Sequence, residues 1–207
     1  MKAKKLLLIA VLTALLAGSL YAQEPSNSKN VDDLNDMGLY IGLDVNYAGI
    51  DSEPAGDLGL KAVLALNSKW GIGLAGTGIW YDYRLDELSE VGTYHLEAAY
   101  SGLIVEYNLA LSPKSKVSFT LLSGMGVAQY RYDHEYQKDL VWTEEIIDRT
   151  SFAVFEPGFE LMTRLSNKWW LGAGLAYRTT SPLRLIDTPE DMLQNFKGGI
   201  RVRYTLF

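Results

Sequence analysis

The stretch Trp169-Trp170-Leu171-Gly172-Ala173-Gly174-Leu175-Ala176-Tyr177-Arg178 alternates without a break. Trp169, Leu171, Ala173, Leu175 and Tyr177 share one parity, and Trp170, Gly172, Gly174, Ala176 and Arg178 share the other. Successive side chains of an extended chain point to opposite faces. A period of two therefore describes a strand with one apolar face and one face that is small or charged. Outward from this segment, the same pattern recurs in residues 39–47, 58–66, 70–77, 102–109, 117–127, 158–164 and 199–206, which makes eight strands in all. Three short connections, Asn67-Ser68-Lys69, Ser112-Pro113-Lys114-Ser115-Lys116 and Ser166-Asn167-Lys168, alternate with longer ones over residues 49–56, 84–94, 133–148 and 181–194. Short turns at one end and long loops at the other predict an all-β, antiparallel, up-and-down barrel.

Composition sets the outer limits. The chain has 207 residues, 48% of them apolar, which suits one β domain of barrel size and excludes a disordered chain. A net charge of -6 leaves no basic surface for a phosphate backbone, so nucleic acid is not an expected partner. With no cysteine, disulfides, thiolate metal sites, cysteine nucleophiles and lipoprotein anchoring are all excluded.

Lys2, Lys4 and Lys5 precede an apolar run over residues 6–17, and small residues follow before Ala22-Gln23. This is the order of a secretory signal peptide, expected to be cut after Ala22, and the run is too short to span a bilayer. Its removal would delete three lysines and no acid, so the exported chain is more acidic still. Residues 23–36 are polar and acidic without periodicity, and predict a flexible N-terminal lead on the periplasmic side. The barrel domain is expected over residues 37–207.

Alternation alone leaves open which face is inside, since a soluble lipocalin-like barrel shows the same period with its faces exchanged. Glycines lie on the polar parity (Gly42, Gly59, Gly71, Gly73, Gly102, Gly124, Gly126, Gly158, Gly172, Gly174 and Gly199), where a narrow lumen needs small residues. Aromatic residues crowd the strand ends, with Trp70, Trp169 and Phe207 near the short turns and Tyr47, Trp80, Tyr130 and Tyr177 toward the loops. Those are the positions of two membrane-interface girdles. Both features place the apolar face against lipid.

With these features the chain resembles the small eight-stranded outer-membrane barrels of Gram-negative bacteria, of the OmpX and OmpA barrel-domain type. Ser101-Gly102-Leu103, Gly124-Met125-Gly126-Val127, Phe155-Glu156-Pro157-Gly158 and Gly172-Ala173-Gly174-Leu175 also look like segments of an uncharacterised family of such barrels. The resemblance covers most of residues 37–207 and implies an outer-membrane location, short periplasmic turns and longer extracellular loops. The terminal Tyr204-Thr205-Leu206-Phe207 departs from the usual Tyr-x-Phe ending, because Tyr204 and Leu206 hold the lipid parity and Phe207 falls one beyond it.

A lipid-facing apolar side turns Asp44, Lys61, Glu106, Glu156, Glu160, Arg164, Arg178, Lys197, Arg201 and Arg203 inward. An unpaired buried charge costs several kcal/mol, so these groups predict a connected ion-pair network, with Glu106 and Glu160 anchoring Arg178, Arg201 or Arg203. Eight strands leave an interior that side chains fill, and the expected lumen is a plugged core, with a narrow ion path as the alternative. Pro157 cannot donate to a ladder and a closed barrel has no edge, so a bulge is expected at Glu156-Pro157, which would let Phe152 and Val154 face lipid.

Other motifs carry less. Gly71-Ile72-Gly73-Leu74-Ala75-Gly76 matches a dinucleotide-binding string, but it opens a strand after a tight turn and lacks the following helix that would meet a pyrophosphate. His95 with Glu97 and Ser101 is the one set from which a lipid-modifying site could be drawn, while His134 lies in a loop. Solvated rim histidine is the preferred reading, and no catalytic, cofactor or metal site is expected. The four long connections are rich in acids against only Arg84, Lys138 and Arg184, an anionic outer rim that suggests weak divalent-cation or partner contacts. Within the third, Val141-Trp142 and Ile146-Ile147 are candidate contact residues. The expected role is structural or surface-interactive, as a monomer. A small passive channel is the alternative, and an outer-leaflet lipid-modifying enzyme is a weaker one. Expected partners are outer-membrane lipids and lipopolysaccharide, with periplasmic chaperones and barrel-assembly machinery during biogenesis.

Overall fold

The computed structural model describes residues 38–50, 53–84, 93–133 and 146–206. The segments read as signal peptide and N-terminal lead, together with His134, Val141, Trp142 and Phe207, lie outside the described residues. The strands are β1 (Gly38–Ile50), β2 (Glu53–Ala65), β3 (Trp70–Arg84), β4 (Thr93–Ser112), β5 (Ser115–Asp133), β6 (Ile146–Arg164), β7 (Trp169–Thr180) and β8 (Asn195–Thr205). Each pairs antiparallel with its sequence neighbour, and β8 returns to β1 to close an eight-stranded barrel. The closing seam runs from Tyr40↔Thr205 to Ala48↔Lys197. Closure gives every strand a partner on both sides and leaves no edge exposed.

The radial polarity is the inverse of a soluble barrel. Leu60, Leu74 and Met125 are 63%, 64% and 69% exposed on the outside, whereas Glu106 and Arg178 are both at 0% inside. Charged residues are almost never fully buried unless paired, so a charged interior must be a bonded one. The narrow lumen also explains the inward glycines. Gly102 and Gly124 face each other across β4 and β5. A Cβ on Gly102 would strike the Ser123 carbonyl oxygen, and one on Gly124 would strike that of Ser101.

Two expectations need correction. No bulge forms at Glu156-Pro157: β6 keeps one register against β5 through Leu122↔Glu156 and Leu121↔Pro157. Against β7, pairing simply stops after Phe155↔Thr179 and resumes in the same register at Gly158↔Ala176. A one-residue shift would turn every later side chain to the wrong face, whereas a skipped rung loses only local hydrogen bonds. Phe152 and Val154 consequently point inward and are buried. The first loop-side connection is also shorter than residues 49–56, because β1 and β2 stay paired to Ile50↔Glu53. There Ala48 and Ala55 face inward and are buried.

The loop end of the interior is apolar. Ile79, Leu96, Tyr130, Phe152 and Val154 line it, Tyr130 pointing inward rather than into the outer aromatic girdle expected for it, and the β7–β8 connection (residues 181–194) folds onto them with Leu183, Leu185, Met192 and Leu193 buried. Hydrogen bonds fix this connection in place. Ser181 N donates to the Ala153 carbonyl at 3.0 Å, Ile186 N donates to Asp148 Oδ2 at 2.9 Å, and the Tyr130 and Thr188 hydroxyls meet at 2.6 Å. Asp187 takes a left-handed φ of 48° at the tip.

Candidate functional site

Inward positions of six strands converge on the lumen and form two charge clusters. In the one nearer the short turns, Lys61 Nζ lies 2.7 Å from Glu160 Oε1, 3.1 Å from Glu106 Oε1 and 3.9 Å from Asp44 Oδ2. Arg203 spans the same two glutamates, with Nη1 3.2 Å from Glu106 Oε2 and Nη2 donating to Glu160 Oε2. Arg201 Nε sits 3.4 Å from Glu160 Oε1 and 3.5 Å from Asp44 Oδ1. The Tyr40 hydroxyl donates to Glu106 Oε2. Glu160 thus faces three bases at once.

The second cluster lies nearer the loops. Lys197 Nζ is 2.9 Å from Glu156 Oε1 and 3.4 Å from Asp57 Oδ2, and it donates to the Tyr100 hydroxyl at 2.9 Å. That hydroxyl in turn donates to Glu156 Oε2 at 2.5 Å. Arg178 Nη1 lies 3.5 Å from Asp57 Oδ2, and its Nε donates to the Leu193 carbonyl at 2.8 Å, tying the cluster to the β7–β8 connection. Asn46 joins the two clusters: its Oδ1 accepts from Arg201 Nη1 and its Nδ2 donates to Asp57 Oδ1.

The structure places Asp44, Lys61, Glu106, Glu156, Glu160, Arg178, Lys197, Arg201 and Arg203 in this network. Arg164 is a correction. It has the inward parity but ends β6 at the mouth, where it is exposed and stacks its guanidinium 4.9 Å from the Trp170 ring. Arg178 pairs with Asp57 rather than with Glu106 or Glu160. Asp57 went unread because Gly56 and Pro54 give its surroundings a loop composition, although it shares its parity with Gly59 and Lys61. With Asp57 in and Arg164 out, the described ion pairs join five carboxylates (Asp44, Asp57, Glu106, Glu156 and Glu160) to five bases (Lys61, Arg178, Lys197, Arg201 and Arg203). Tyr40, Tyr100 and Asn46 complete the bonding, and their inward parity was the available signal.

Between the clusters lies a cavity of about 30 Å³ whose lining includes Asp44, Lys61, Glu156, Glu160, Lys197 and Arg201. That is room for roughly two water molecules. It is a pocket for solvent within a packed interior, and above it stands the apolar layer sealed by residues 181–194. No group of three or more potential metal ligands occurs among the described residues. His95, Glu97 and Ser101 follow one another along the outward face of β4. Six residues of strand put His95 about 20 Å from Ser101, far beyond proton-transfer reach.

No family model matches the chain, and no curated protein matches it. Among solved structures it is similar to the N-terminal β-barrel domain of Pseudomonas aeruginosa OprF, at 12% identity over 82% of this chain and 97% of that one, with a TM-score of 0.47. It is similar also to Ail, the attachment invasion locus protein of Yersinia pestis, at 13% identity over 82% and 97%, with a TM-score of 0.47. A third is the outer membrane protein OprG of Pseudomonas aeruginosa, at 11% identity over 86% and 99%, again with a TM-score of 0.47.

Proposed function

We propose that this chain is an integral outer-membrane barrel, closed to ions, that acts at the cell surface rather than as a pore or an enzyme. The observation that carries the reading is the inverted polarity: a predominantly apolar exterior around an interior in which five carboxylates pair with five bases. Burying large aliphatic side chains stabilises the barrel only where the surroundings are themselves apolar, which is the condition a bilayer supplies. A lumen crossed by ion pairs offers a permeating ion no site that is not already occupied by a protein charge. The working surface is then the loop end. Among the described residues of the β7–β8 connection, Asp187, Glu190 and Asp191 are exposed against the single base Arg184, in line with an acidic rim.

On this reading the barrel works as a monomer. Its partners are outer-membrane lipids and lipopolysaccharide, and periplasmic chaperones and the barrel-assembly machinery during biogenesis. The test is single-channel recording of the refolded protein in a planar bilayer, with heat-modifiable gel migration as the folding control. The reading expects silence from a folded barrel. Steady openings would replace it with a small porin whose selectivity the lumenal charges set.

A further inference from the structure

Two of the short turns are built alike. Leu66-Asn67-Ser68-Lys69-Trp70 and Leu165-Ser166-Asn167-Lys168-Trp169 differ only in the exchange of Asn and Ser, and their backbones share a hydrogen-bond pattern. Leu66 N donates to the Trp70 carbonyl at 2.8 Å, as Leu165 N does to that of Trp169 at 2.9 Å. The Lys69 carbonyl accepts from Asn108 N at 2.6 Å, and the Lys168 carbonyl from Thr205 N at 2.8 Å. In each turn a side-chain oxygen, Asn67 Oδ1 or Ser166 Oγ, accepts from the N–H groups of both the lysine and the tryptophan. Each tryptophan then tilts against a tyrosine of the next strand with ring centroids 4.8 Å apart, Trp70 on Tyr107 and Trp169 on Tyr204. Both lysines are exposed, each next in sequence to its tryptophan, and Lys168 Nζ stands 5.8 Å from the Tyr204 ring centre.

The charge at this end is of one sign. The described turn residues carry Lys69, Lys114, Lys116, Arg164 and Lys168, with no Asp or Glu among residues 66–69, 111–116 and 164–168. Lys116 and Arg164 turn onto the Trp170 ring, which leaves Lys69, Lys114 and Lys168, and of these Lys69 and Lys168 directly precede the outward-facing tryptophans of the aromatic pairs. Tryptophan and tyrosine settle at headgroup depth, and a lysine near the membrane surface attracts anionic headgroups. At the Lys168 corner the outer wall is also concave. A groove of about 650 Å³ starts at Trp169 and Tyr204 and crosses Ile41 and Ala62 to Leu74 and Gly76. Small side chains at Ala62 and Gly76 form the depression, and its lining is almost wholly apolar.

The geometry points to two anionic glycerophospholipid sites in the periplasmic leaflet, one at each Lys-Trp-Tyr corner. At the Lys168 corner the groove also seats an acyl chain. The inference rests on the membrane-spanning reading proposed above. Lysine supplies the charge for the phosphate, the aromatic pair holds the glycerol depth, and only the Lys168 corner grips the tail.

Native mass spectrometry of the refolded protein, titrated with phosphatidylglycerol and separately with phosphatidylcholine of the same chains, tests this directly. Two phosphatidylglycerol molecules are expected to be retained in preference to phosphatidylcholine. Lys69→Gln and Lys168→Gln should each weaken one of them about fivefold. Gly76→Leu should weaken the Lys168 site alone. An added Cβ at Gly76 meets its neighbours at 3.6 Å and 3.7 Å, ordinary contact, so the fold should tolerate it. Equal retention of the two lipids, or unchanged retention in the Lys69→Gln/Lys168→Gln double variant, overturns the inference. Heat-modifiable migration of each variant separates these outcomes from failure of the barrel itself: a protein that never folds into lipid sinks the membrane reading, while a folded barrel without headgroup preference sinks only the two sites.

Discussion

Glu160 concentrates the electrostatics of the lumen on one side chain, with Lys61 at 2.7 Å, Arg201 at 3.4 Å and Arg203 in direct contact. Removing one member of a buried pair leaves the others charged and desolvated, which costs far more than the pair contributes while intact. Glu160→Ala should therefore lower the unfolding free energy by about 3–5 kcal/mol in denaturant titrations of the micelle-folded protein. Arg164→Ala, at the exposed mouth, should change it by less than about 0.5 kcal/mol, and a comparable loss at both positions would refute the network. The contrast also marks what one sequence discloses about single residues. Parity tells which face a side chain takes, and it placed Glu160 and Arg203 inward. Parity carries no information about height along the axis, so Arg164 shared the inward row yet ended beyond the enclosed lumen. Asp57 failed in the opposite sense, being at the right height and parity beside residues whose composition suggested a loop.

Among the elements, β4 and β5 approach each other closely. The opposed glycines Gly102 and Gly124 allow an approach that a Cβ on either would block with neighbouring backbone rather than a flexible side chain. Gly102→Val should sharply reduce the yield of the heat-modifiable folded form on refolding into vesicles. A yield equal to wild type would show that the strands can separate at no cost. Strand number and facing were legible because lipid outside and a narrow lumen inside make opposite demands on alternate residues. Strand ends were not. β1 and β2 run through Gly49, Pro54 and Gly56 because hydrogen bonds offered by the partner strand override weak local propensity. At Pro157 the fold preserves register by giving up a rung. The β4, β5 and β6 strands, of 20, 19 and 19 residues, exceed the roughly 9–11 needed to cross a hydrocarbon core, so on the proposed membrane-spanning reading this side of the barrel projects beyond it.

At the scale of the whole molecule, closure, inverted polarity and internal charge balance form one argument. A closed barrel satisfies its backbone without water, an apolar exterior accepts lipid, and the paired interior fills what closure encloses. The alternation of apolar and small residues made this legible in outline, whereas the inward fold of residues 181–194 carried no periodic signal and came only with the structure. Every part of the account depends on the exterior facing lipid. The chain has no cysteine, so single substitutions can place one spin label at a time on that face. Leu43→Cys, Leu74→Cys and Met125→Cys, labelled with a nitroxide in the refolded, bilayer-embedded protein, should be readily relaxed by oxygen and shielded from a water-soluble nickel chelate. Free access of the nickel chelate to all three positions would mean that this face meets water, and would contradict the account.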